Sequence, residues 1–83
     1  MKLTLSRHAK DATKERRITT AWMERVVFQP EKLESDRLDP ELEHRLGRII
    51  EYGNRVLRVI VNETKNPPMI VTAYFDRKMR NKL

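Results

Sequence analysis

Apolar and polar positions along the chain change period twice. Residues 7–17 are rich in Ala, Lys, Arg and Glu, with Ser6 placed as an N-cap; the stretch predicts a helix whose own apolar stripe is thin, Ala9 and Ala12. Thr19 is a second N-cap, with Ile18 before it and Met23 after it spaced as a hydrophobic staple. Trp22 and Val26 share one helical face, and Met23 and Val27 share the adjoining one, so a second helix is predicted through about Gln29, ended by Pro30. From about His44 the period shortens towards two. Strands are predicted over 44–52, 55–62 and 69–75, with Gly53-Asn54 as a two-residue hairpin turn and a turn-rich link over 62–68. Residues 30–42, with two prolines, read as a connector.

A turn at Gly53-Asn54 sets Tyr52 opposite Arg55, Ile50 opposite Leu57 and Arg48 opposite Val59. One face then carries Leu46, Ile50, Leu57, Val59 and Val61, joined by Met69, Val71, Ala73 and Phe75; this is the expected core beneath the helices. The other face carries Arg45, Arg58, Thr72 and Tyr74. A slip of one residue would exchange the two faces. The expected fold is α+β: two N-terminal helices packed on a small, mostly antiparallel sheet, in a single domain over 1–83.

Charge sharpens this picture. The net charge is +6, but six of the 12 acidic residues fall between Glu31 and Glu43 with only Lys32 and Arg37 among them, so that segment is −4 and the rest of the chain +10. A segregated basic surface is the usual footprint of a polyanion partner. The acidic segment reads as a solvated connector; its charge would also suit a flap that guards the basic surface or binds a partner. Arg45, Arg58, Arg77, Lys78 and Arg80, with Arg16 and Arg17 from the first helix, are the candidate nucleic-acid-binding residues. Arginine forks match phosphate oxygens, and the Tyr74 ring suits an unpaired base.

The chain has no cysteine, which removes thiol chemistry, disulfides and Cys-based zinc sites. Two distant histidines do not make a metal site, so no metal and no cofactor is expected. His44, at a strand entrance, is expected to be exposed. His8 is either a structural helical residue or a general acid–base group. With Arg58 and Tyr74 it forms the candidate catalytic set for RNA cleavage by 2′-hydroxyl attack. Met1–Leu5 lacks the long apolar run of a secretory signal, and no apolar stretch reaches membrane-spanning length; a cytoplasmic protein without membrane association is expected.

Ser6-Arg7-His8-Ala9, Glu15-Arg16-Arg17-Ile18-Thr19, Tyr52-Gly53-Asn54-Arg55 and Pro68-Met69-Ile70-Val71-Thr72-Ala73-Tyr74 occur in an order that resembles an uncharacterised bacterial branch of the RelE/ParE/BrnT-like toxin superfamily. The resemblance implies a RelE-like fold. It also implies a toxin or toxin-derived protein acting on RNA or the ribosome, an endoribonuclease of a toxin–antitoxin system being one form, with an acidic antitoxin-like protein as partner; a second copy is a further expected partner because so short a chain buries only a marginal core. Other members poison gyrase. Arg45, Arg58, Tyr74 and Arg77 are the positions nearest to the superfamily's site residues. A non-catalytic basic module that binds a protein or nucleic acid is the alternative. On the first reading, a toxin-like protein acting on RNA, Arg58→Ala weakens RNA binding without unfolding the domain.

Overall fold

The computed structural model describes residues 3–83; Met1 and Lys2, which open the stretch read as non-secretory, lie outside the described residues. The fold is α+β, with two helices and a five-stranded, mostly antiparallel sheet. The elements are β1 (Thr4–Leu5), α1 (Arg7–Arg16), α2 (Thr20–Phe28), β2 (Lys32–Ser35), β3 (Leu42–Ile49), β4 (Arg55–Asn62) and β5 (Met69–Phe75), with 3₁₀ turns at Ile50–Tyr52 and Arg77–Met79. The strand order is β1-β5-β4-β3-β2, and only the β1–β5 pair is parallel. No helix among the described residues is long and apolar enough to cross a membrane.

Both helices begin at the predicted caps. The Ser6 hydroxyl accepts the Ala9 N–H at 3.0 Å and donates to the Val71 carbonyl at 3.0 Å, so one side chain starts α1 and fastens it to β5. The thin stripe of α1 suffices because its buried residues are small. Ala9, Ala12 and Thr13 let the helix lie close against β5, and Thr13 satisfies its hydroxyl on the Ala9 carbonyl at 2.8 Å. Arg17 ends the helix with φ 56°, a left-handed conformation, and the Ile18 N–H returns to the Thr13 carbonyl at 2.9 Å. Thr19 caps α2 by accepting the Trp22 N–H, and Ile18 and Met23 both enter the core, as a staple requires. That core joins Met23, Val26 and Val27 of α2 to Ile49, Leu57, Val59, Val61, Ile70 and Ala73 of the sheet.

The hairpin differs from expectation. Strand β3 stops at Ile49, the chain makes a 3₁₀ turn through Tyr52, and Gly53 and Asn54 follow at φ 70° and 57°. The observed register pairs Ile49 with Arg55, Gly47 with Leu57 and Arg45 with Val59, three residues away from the expected one. The cause lies in residues 51 and 52. Tyr52 leaves the strand to join Trp22 and Phe75, with ring centroids 5.4 and 5.1 Å away, and Glu51 accepts two hydrogen bonds from Arg25 and one from Trp22. An odd shift exchanges the faces of β3 while leaving β4 as predicted. Arg45, Gly47 and Ile49 therefore face the helices, and His44, Leu46 and Arg48 face away. Gly47 lets α2 lie close: a Cβ there would come to 3.2 Å from Val26 Cγ2, so Val26 would have to shift by a few tenths of an ångström. Ile50, expected in the core, is 72 % exposed.

Two further expectations change. Ile60 pairs with Thr72 and Val61 with Ile70, so Val71 is an extra, bulged residue. The bulge turns Ile70 rather than Met69 into the core, while Ala73 and Phe75 stay on the helix side as predicted. Residues 30–42 are not only a connector: β2 lies within them and pairs antiparallel with β3. On the face away from the helices, Leu46 and Val56 are buried, and the 3₁₀ turn at Arg77–Met79 packs on β4.

Because Arg17 holds a left-handed conformation that costs a residue with a Cβ about 1–2 kcal/mol, Arg17→Gly is expected to stabilise the domain by about 0.5–1 kcal/mol after the extra backbone entropy of glycine is subtracted. Urea unfolding of the two proteins measures this; a loss of stability would show that the Arg17 side chain holds the helix end in place.

Candidate functional site

Two polar assemblies lie on or beside the sheet face that the helices leave open. The first is centred on Arg58, whose side chain is only 10 % exposed. Its Nε donates to Asp76 Oδ2 at 2.9 Å, and Nη2 reaches the same oxygen at 2.8 Å. Its Nη1 donates to Glu34 Oε1 at 2.8 Å and to His44 Nδ1 at 2.7 Å. Arginine can only donate, so His44 Nδ1 is the acceptor, and the ring proton stays on Nε2, which meets Asp36 Oδ1 at 2.7 Å. His44 is thus largely enclosed rather than exposed. Burial opposes the charge on Arg58, but hydrogen bonds to Glu34 and Asp76 outweigh it and hold its pKa above the ordinary value. The same bond from Arg58 lowers the Glu34 pKa, and His44, followed by the Asp39 and Leu38 N–H groups, lowers that of Asp36.

This assembly explains the acidic segment. Glu31 binds Arg48, Glu34 binds Arg58, Asp36 binds His44 and Glu43 binds Arg45. Four of its six carboxylates bind basic groups of β3 and β4, and those of Glu31, Glu34 and Asp36 strap β2 and its flanks to the sheet.

The second assembly is a cavity of about 700 Å³ where β4 begins and β5 ends. Arg16, Arg55, Arg77 and Arg80 line it with Tyr52, Tyr74 and Phe75. Its one carboxylate, Asp76, is engaged with Arg58 and with the Lys78 N–H. Among the described residues, strand β1 pairs β5 only at Met69 and Ile70, and no strand lies beside the rest of that edge. Arg16 covers part of it by donating to the Ala73 carbonyl at 2.9 Å. The Arg55 guanidinium lies 4.7 Å from the Tyr52 ring centroid, a cation–π contact that holds it at the rim. Among the described residues, Arg55, Arg77 and Arg80 form no ion pair.

The structure therefore gathers some of the sequence-derived candidates and separates others. Arg16, Tyr74, Arg77 and Arg80 meet in the cavity. Arg58 is the cross-strand neighbour of Tyr74, but its guanidinium is fully engaged next door. His8 lies exposed on α1, in a shallow groove that shares only Arg16 with the cavity. Arg17 is exposed at the helix end, and Lys78 is exposed outside the cavity lining. Arg45 is removed from the open face by the register shift; it binds Glu43, Glu63 and the Val27 carbonyl beneath α2. Tyr52 and Arg55 are cavity residues that the hairpin reading treated only as turn flanks. The signal available for them was an arginine three positions after a tyrosine around a Gly-Asn pair. Among the described residues, no cluster of His, Asp and Glu is placed to hold a metal ion.

A family model described as a domain of unknown function (DUF4258) matches residues 5–75, and the chain belongs to that family. No curated protein and no solved structure matches the chain.

The Arg58 assembly makes stability testable in two ways. Removing the guanidinium strands Glu34 and Asp76 without their cation, so Arg58→Ala is expected to cost about 3–5 kcal/mol of stability, the range for breaking a buried pair. This outcome differs from the undisturbed domain expected from the sequence, and a urea midpoint equal to the parent's would contradict it. The second test uses acid. Glu34, Asp36 and Glu51 all have lowered folded pKa values, Glu51 at about 2 through its hydrogen bonds from Arg25. Their stabilisation is complete above the unfolded carboxylate values of about 4 and is lost as pH falls through the lower folded values. The melting temperature should stay level from pH 7 to about 5 and then drop. Glu34→Gln should make that drop shallower; a melting temperature that rises on acidification would contradict the assignment.

Proposed function

We propose that this domain is a RelE-like toxin or toxin-derived protein that engages single-stranded RNA in the arginine–aromatic cavity. The observation that carries the reading is the grouping of Arg55, Arg77 and Arg80, none with an acidic partner among the described residues, around Tyr52, Tyr74 and Phe75. Guanidinium groups take phosphate oxygens through paired N–H donors. Aromatic rings take unstacked bases, and each such stack contributes about 1–3 kcal/mol. Two helices followed by antiparallel strands agree with the RelE-like order that the sequence motifs suggest.

Cleavage by 2′-hydroxyl attack needs a base, an acid and positive charge at the phosphorus-centred transition state. The cavity supplies the charge and the Tyr74 phenol, while His8 lies outside it and His44 is held between Arg58 and Asp36. That lack of a free imidazole in the cavity favours a second reading, a basic module that binds without cutting.

Binding and cutting are measured separately. Arg77→Ala with Arg80→Ala is expected to weaken the anisotropy-measured affinity for a labelled oligoribonucleotide. It should also flatten the slope of log K against log salt by about 0.7 for each phosphate that the double variant no longer neutralises. Unchanged affinity and slope in the folded double variant would overturn the site. Mapping of mRNA 5′ ends in a bacterial translation extract then distinguishes the two readings: new ends that depend on the protein and on Tyr74 mark a nuclease, and binding without new ends marks the module.

A further inference from the structure

Strand β2 forms one edge of the sheet, three strands away from β5 and the cavity. Its hydrogen-bonding sense can be read from its end. The Asp36 N–H donates to the Leu42 carbonyl at 3.2 Å, so alternation along an antiparallel strand turns the backbone groups of Glu34 and Lys32 inward to β3. Those of Leu33 and Ser35 are left on the free edge. The Leu33 side chain is 54 % exposed, and Leu38, just beyond the strand, is 93 % exposed. An edge with free backbone groups and exposed leucines is a template for another strand.

The side chains specify which strand fits. Lys32 and Glu34 flank Leu33 with opposite charges and share the open face, the side on which the sheet carries His44 and Leu46; within the chain they already pair at 3.3 Å, the other Glu34 oxygen holding Arg58, so a second copy would complete an alternating square of charges rather than meet free ones. We propose that this edge pairs with the same edge of a second copy, antiparallel about a two-fold axis normal to the sheet at Leu33. In that register Leu33 opposes the Leu33 of the second copy, and Lys32 of each chain opposes Glu34 of the other. Both ion pairs fall on the open face and both leucines on the helix side. The Leu33 N–H and C=O, free in the single chain, form the reciprocal pair at the axis. A closed isologous contact of this kind joins two sheets into one of ten strands and uses up the exposed edge. Self-complementary charges single out a second copy as the occupant: an edge protected against pairing carries charges that would repel their own image. The arrangement leaves both cavities open and does not depend on what they bind.

The chain contains no cysteine, which makes the test direct. Sedimentation velocity of the full chain should show a dimer whose share rises with concentration; a monomer at every concentration up to about 1 mM overturns the proposal, including the case in which the edge serves a different protein. Leu33→Lys places two like charges at the axis at an already exposed position. It should weaken association at least about tenfold while circular dichroism stays that of the parent, and undiminished association overturns the assigned edge. Register is read with single cysteines under a mild oxidant. In a hydrogen-bonded antiparallel pair the two residue-33 Cα atoms lie about 5.5 Å apart, within disulfide reach, whereas the two residue-35 Cα atoms lie about 14 Å apart. Leu33→Cys should therefore give a cross-linked dimer and Ser35→Cys should not; equal cross-linking, or cross-linking of Ser35→Cys alone, overturns the register.

Discussion

Arg58 is the group on which the open face depends. Its guanidinium reaches a carboxylate on β2, an imidazole on β3 and a carboxylate just past β5, while its own backbone belongs to β4. Three strands and the C-terminal segment are therefore registered by one side chain with few remaining degrees of freedom. Such a charge is costly to bury, and the assembly answers that cost by leaving none of its buried polar side-chain atoms without a partner. Asp76 carries the constraint outward: one oxygen holds Arg58 while the other accepts the Lys78 N–H and starts the 3₁₀ turn that brings Arg77 and Arg80 to the cavity. A structural ion-pair network thus positions the charges assigned to ligand binding without contributing its own.

The helix side is governed by packing at one corner. Trp22, Tyr52 and Phe75 come from α2, the β3–β4 connection and the end of β5, and their rings lie within 6.0 Å of one another. That cluster withdraws Tyr52 from the strand, and the Arg25–Glu51 pair holds the adjoining residue on the same side. The displaced turn sets the β3 register, which in turn places Gly47 under Val26 and Arg45 under the end of α2. The same Tyr52 ring that closes the core at this corner forms a wall of the cavity, with Arg55 stacked on it. Fold and candidate site thus share that residue.

Most elements were legible because their signals are local. Caps at Ser6 and Thr19, the staple of Ile18 and Met23 and the apolar run of β4 each act within a few residues. The parts that were not legible depend on distant partners. Nothing near Tyr52 reveals that Trp22 and Phe75 will take it out of the strand, and the consequence was an inverted β3. Strand β2 was hidden because Lys32, Glu34 and Ser35 lack an apolar alternation; ion pairs to Arg48 and Arg58 hold it where packing would hold an ordinary strand. For the site, Arg16, Tyr74, Arg77 and Arg80 were recoverable from charge and strand parity. The exclusion of Arg45 and Arg58 was not: the register shift turns Arg45 beneath α2, where Glu63 joins the nearby Glu43, and Arg58 is neutralised by Asp76 and Glu34, 18 or more residues away.

The central claim is that the unpaired arginines of the cavity, rather than the neutralised ones of the sheet, meet the ligand. The most direct measurement is a titration of the ¹⁵N-labelled chain with a short oligoribonucleotide, followed through the arginine Nε–H resonances. The account predicts saturable shifts at Arg55, Arg77 and Arg80, with Arg45 and Arg48 unmoved. Shifts centred on Arg45 and Arg48, or spread evenly over every arginine, would contradict it.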